Sequence, residues 1–146
     1  MIEGLGDLSS SLSIAAIGSA LGTGVAGISA IGAWKRAFSQ NKAAPFILIA
    51  FVGAPLTQTI YGLILRNAIQ AAQLPPESYI YQLVLGAFAG IAMAFSAYMQ
   101  GKAGAKAADA LAETGKGFGN YLMVLGIIES VALFVMVFTM IAIPVQ

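Results

Sequence analysis

Four long stretches of this chain are almost free of charge. None lies between Asp7 and Lys35, between Lys42 and Arg66, or between Glu77 and Lys102, and from Gly117 to Gln146 only Glu129 interrupts. Each window exceeds the ~20 apolar residues a helix needs to cross a hydrocarbon core of about 30 Å. A soluble helix needs a polar face, which such windows cannot supply. With 59% hydrophobic and 9% charged residues in a chain of 146, there are too few polar side chains to clothe a surface facing water. The expected fold is an all-α membrane protein of four transmembrane helices, one membrane domain over 1–146, with no room for a soluble domain.

Composition also removes functions. Without His or Cys there is no imidazole chemistry, thiol nucleophile, thiolate metal site or disulfide. No GxxxxGK[ST] occurs, and the glycines lie inside apolar spans rather than after a strand, so no nucleotide site is expected. A net charge of +1 gives no ground for a nucleic-acid partner. The opening Met1-Ile2-Glu3-Gly4, followed by Asp7, lacks the basic region of a secretory signal, so the first apolar run reads as a retained helix. Lys35, Arg36 and Lys42 flank the first connection and Lys102, Lys106 and Lys116 the third, whereas Gln70 to Ser78 carries no basic residue. Basic residues gather on the cytoplasmic side, so both termini are expected on the non-cytoplasmic side. Trp34 reads as an interface anchor, Arg66 as a snorkelling cation too far along its helix to pair with Glu129, and Asp109 with Glu113 as part of a solvated turn.

The chain divides near Pro75-Pro76 into two halves of one plan, a helical hairpin over 8–72 and another over 78–146. Each half opens with a helix rich in small residues that contains a GxxxG, Gly18 with Gly22 and Gly86 with Gly90, spacings that let helix backbones approach closely in lipid. Alignment of the second helices sets Leu56 against Glu129, so the duplication keeps one acid per two hairpins. A carboxylate in mid-membrane costs roughly 2.5–3.5 kcal/mol and persists where protein groups or transport use it.

Counting along the helices predicts what surrounds it. If the third connection turns near Thr114-Gly115, Gln100 and Glu129 each lie about fourteen residues from the turn, or ~20 Å along their helices. From a first turn near Lys42-Ala43, with Pro45 at the first helical position, the same count reaches Thr57 and Gln58. Ala54, Thr57, Gln58 and Tyr61 share one helical stripe. Within it Pro55 removes an N–H and frees the carbonyl of Phe51. The Thr57 hydroxyl, the Gln58 and Gln100 amide oxygens, a backbone carbonyl near Pro55 and the Glu129 carboxylate make an all-oxygen shell of one negative charge. That shell suits a hard monovalent cation, Na+ rather than Ca2+ or Mg2+. A proton carrier needs only the acid and one hydrogen-bond partner.

Pro55-Leu56-Thr57-Gln58-Thr59-Ile60-Tyr61-Gly62, Gln100-Gly101-Lys102 and Ile128-Glu129-Ser130-Val131-Ala132 together resemble the proteolipid (c) subunit of V-type and A-type rotary ATPases, in particular the sodium-translocating bacterial form with two fused hairpins. The resemblance implies that Ala54 supplies a carbonyl ligand, that Thr57, Gln58 and Gln100 are neutral ligands and Glu129 the charged one, and that Tyr61 holds Glu129 from outside the shell. It implies a non-catalytic subunit in a ring of identical copies within the bilayer. That ring would turn against a stator subunit bearing a basic residue and dock on a central shaft. Two alternatives stay open: a proton-carrying rotor using the same acid, and a four-span oligomer in which Glu129 only pins helices together.

Overall fold

A computed structural model describes residues 6–144, all of whose regular structure is helical; the reading of Met1 to Gly4 lies outside them. Helix α1 spans Ser10–Ser39. The second span, Phe46–Ala71, is broken into a 3-10 turn Phe46–Leu48, helix α2 (Ile49–Gly53), a second 3-10 turn Ala54–Leu56 and helix α3 (Thr57–Ala71). A 3-10 turn Pro76–Ser78 leads into α4 (Tyr79–Thr114), and α5 covers Phe118–Ala142. Four helical spans are thus long and apolar enough to cross a membrane, and the chain is a multi-pass membrane protein. Its outward side chains agree: Ile28, Phe46 and Ile141 are each about three-quarters exposed in the isolated chain, a placement that lipid favours and water does not.

The turns follow from local chemistry. At the third connection Gly115 (φ 67°) and Gly117 (φ 90°) take the left-handed region, and the Gly115 N–H closes α4 on the carbonyl of Leu111 at 2.8 Å. At the first, Pro45 is the residue before the helix rather than its first position, and the span begins at Phe46. Trp34, expected as an interface anchor, donates its indole N–H to the Pro45 carbonyl at 2.8 Å and so fastens this connection. Asp109 and Glu113, expected in a turn, lie within α4. With 36 residues that helix runs ~54 Å, longer than the hydrocarbon core, and its charges, from Lys102 to Glu113, gather in its last turns. There Asp109 accepts a hydrogen bond from Arg36 at 2.9 Å in an exposed ion pair.

Helices α1 and α4 form the central pair, α3 leans on α1, and α5 leans on α4 and α3. Glycine makes the central contact possible. A Cβ on Gly18 would meet the Ala94 backbone at 2.2 Å, and one on Gly101 the Gly22 carbonyl at 2.1 Å, while Gly86 lies under Asp7 and Gly90 under Ile14. All four glycines of the two GxxxG pairs therefore serve contact between the two hairpins of one chain. Asp7 is 1% exposed. Its carboxylate accepts from the backbone N–H groups of Ser9 (3.0 Å) and Ser11 (2.9 Å) and from the Ser11 hydroxyl, anchoring the start of α1. Arg66 lies nearby, donating to the Ser9 hydroxyl at 3.3 Å and to Asn67 at 3.0 Å rather than to Glu129.

Two apolar clusters fill the bundle. One gathers Ala15, Leu65, Ile69, Met93 and Met136; the other gathers Leu48, Phe51, Ala108, Leu111 and Leu125, with Phe51 packed on the rings of Phe118 and Tyr121. In sequence the polar residues Gln58, Ser96, Gln100 and Glu129 fall between the residues that each helix gives to these clusters.

Candidate cation site

Pro55 is fully buried, and the helix around it tightens to the 3-10 turn Ala54–Leu56. Proline lacks the N–H that an α-helix requires here and crowds the carbonyl four residues earlier. That carbonyl, on Phe51, faces Gly104 of α4, where a Cβ would stand 2.8 Å from its oxygen. The disturbed turn aims Ala54 and Thr57 at one spot. The Thr57 hydroxyl lies 3.1 Å from the Ala54 carbonyl and 3.2 Å from Gln58 Oε1. It owns a single proton and two acceptors compete for it, so three oxygens gather where one hydrogen bond can be made.

From there a chain of side chains runs to the acid. Gln58, fully buried, donates its Nε2 to Gln100 Oε1 at 2.9 Å, and Gln100, also fully buried, donates its own Nε2 to Glu129 Oε2 at 3.1 Å and to the Leu125 carbonyl at 3.1 Å. Tyr61 donates its hydroxyl to Glu129 Oε1 at 2.7 Å. Each carboxylate oxygen thus accepts one hydrogen bond, Oε1 from α3 and Oε2 from α4. Glu129 is half-buried, reached from α3 by Tyr61 and from α4 by Gln100.

The residues singled out from sequence fall as follows. Gln58, Gln100, Glu129 and Tyr61 are joined directly, and Ala54 and Thr57 join through the Gln58 oxygen. Gln100 turns its NH2 rather than its oxygen toward Glu129. To act as an oxygen ligand it has to turn its amide over. Sequence reasoning missed Ser96, which is 6% exposed, donates to the Ile128 carbonyl at 2.9 Å and lies 3.5 Å from Gln58 Nε2. Its position four residues before Gln100, on the same stripe of α4, was the available signal. Among the described residues no three His, Cys, Asp or Glu side chains gather as a metal site. Any ion here would be held by one carboxylate and neutral oxygens.

Comparison with known proteins bears on the same helices. Residues 83–142, which contain Gln100 and Glu129, match the C-subunit family of ATP synthases. None of the curated proteins matches the chain.

Proposed function

We propose that this chain is a rotor-ring subunit of a V-type or A-type rotary ATPase and carries Na+ on Glu129. The family match over residues 83–142 supports a rotor component that translocates ions and does not itself hydrolyse ATP. The sodium reading rests on one observation: Ala54 O and Gln58 Oε1 lie 3.1 and 3.2 Å from Thr57 Oγ1, three oxygens with a single proton among them. A bound cation satisfies all three together. Gln100 would add its amide oxygen by turning over, and Glu129 would supply the neutralising charge while Tyr61 keeps it in place. A hard monovalent ion suits such a set, whereas divalent ions ordinarily recruit more carboxylates or waters.

Work is done by moving that ion. Identical copies form a ring in the cell membrane, and a basic residue on the stator subunit draws Glu129 into releasing its ion as each copy passes. One charge moved through 100 mV is worth about 2.3 kcal/mol, so several ions can be summed against one ATP. The basic ends of α1 and α4, with Arg36 and Lys106, face the cytoplasm and the central shaft, and both termini lie on the opposite side. The orientation of Gln100 favours a second reading, a proton rotor. With its NH2 on Glu129, the hydrogen-bond chain is complete without a metal ion.

Carbodiimide labelling of Glu129 across a sodium titration, at fixed pH in the membrane complex, separates the two. Protection that tracks sodium and is lost in Gln58→Ala and Gln100→Ala is the expected result. Labelling that follows pH and ignores sodium leaves the proton rotor.

A further inference from the structure

The structure assigns a role to Ser96: we infer that its hydroxyl fixes which end of the Gln58 amide faces the three-oxygen cluster, and so sets the preference of the site for a metal cation. This rests on the sodium reading above. Ser96 has one proton, and the Ile128 carbonyl 2.9 Å away takes it. That carbonyl belongs to the residue before Glu129, so the bond also ties α4 to the segment of α5 that carries the acid. With its proton spent, Ser96 turns only lone pairs toward Gln58, whose amide end lies 3.5 Å off. At that length the contact is weak as a bond but decisive in sign. An NH2 group is welcome there, and an amide oxygen would face lone pairs.

The consequence appears on the far side of the amide. With Nε2 toward α4, Gln58 Oε1 points at Thr57 and the Ala54 carbonyl, where a cation needs it. Gln100 Oε1 gives the same instruction by accepting from Gln58 Nε2 at 2.9 Å. Gln100 cannot keep giving it, however, if its oxygen turns to coordinate the ion. Ser96 is then the remaining polar side chain of α4 that holds the Gln58 amide in the useful orientation. It is a positioning residue, buried and outside the proposed ligand set, and it acts through Gln58.

The test compares wild type, Ser96→Ala and Ser96→Thr in the assembled membrane complex, by sodium protection of Glu129 from carbodiimide. Outer-shell hydrogen bonds to ligand side chains change metal affinity by roughly 10–100-fold. The long contact here places Ser96→Ala at the low end, so half-protection should need roughly tenfold more sodium. Labelling without sodium and ring assembly on gels should stay as in wild type, and Ser96→Thr, which keeps the hydroxyl, should restore the wild-type titration. Protection of Ser96→Ala at wild-type sodium overturns the role of Ser96 and leaves the sodium reading standing. A loss that Ser96→Thr does not restore assigns the effect to packing and also overturns it. A wild-type complex indifferent to sodium removes both readings.

Discussion

Replacing Tyr61 by Phe isolates one bond of the site. The tyrosine ring packs against the apolar cluster containing Leu65 and Met136, and phenylalanine keeps that packing, so the variant removes only the hydroxyl that donates to Glu129 Oε1 at 2.7 Å. Hydrogen bonds to charged groups contribute about 1.5–3 kcal/mol. At 1.4 kcal/mol per decade, that is about 10–100-fold in affinity for whatever the carboxylate holds. Two features set the result at the lower end. Gln100 still donates to Oε2 at 3.1 Å, and the freed Oε1 can lean toward the ion. The concentration of sodium that half-protects Glu129 from carbodiimide should therefore rise about tenfold in Tyr61→Phe, with the ring still assembled. An unchanged sodium titration would refute the argument, because it would mean that Tyr61 does not hold the carboxylate during ion binding.

Other substitutions test other levels of the structure. Glu129→Gln should leave the ring assembled but abolish sodium uptake into reconstituted vesicles, whereas a helix pin would tolerate the change. Gly101→Ala places a methyl group 2.1 Å from the Gly22 carbonyl, and forcing the two central helices apart should cost about 2–3 kcal/mol, read as a lower melting temperature of the solubilised subunit. Asp7→Ala removes the acceptor for two backbone N–H groups at the start of α1 and should cost about 1–2 kcal/mol, visible as faster hydrogen exchange in the first turn. Asp109→Asn breaks only the exposed pair with Arg36 and should change stability by less than about 1 kcal/mol.

What could be read before the fold was known came from two regularities, absence of charge and distance from a turn. The uncharged windows locate the spans because lipid tolerates few alternatives. Counting brings Gln100 to Glu129 because straight helices convert residue number into depth. Both regularities fail where chemistry is local or the partner is remote in sequence. Asp7 reads as one more terminal charge, yet it is buried under α1 and against Gly86. Trp34 reveals its partner only once the connection folds back to present the Pro45 carbonyl. Arg36 and Asp109 pair across 73 positions because α4 continues as helix to Thr114, where residue charge alone suggests a turn. Ser96 escapes notice because serine in an apolar helix commonly bonds its own backbone, and its bond to the Ile128 carbonyl needs α5 in place.

Leu56, the residue that corresponds to Glu129 in the first hairpin, faces outward and is 52% exposed. In the proposed rotor ring, that single replacement would act as a change of gear. Four helices would pass the proposed stator for each charge delivered, against two if both hairpins carried an acid. The torque from each ATP would then be divided among half as many charges. Work that balances about 100 mV in a doubly charged ring would balance about 200 mV in the proposed one, at about 2.3 kcal/mol per charge per 100 mV. On that reading, a leucine in place of an acid would trade ions moved per turn for the steepness of the gradient against which they can be moved.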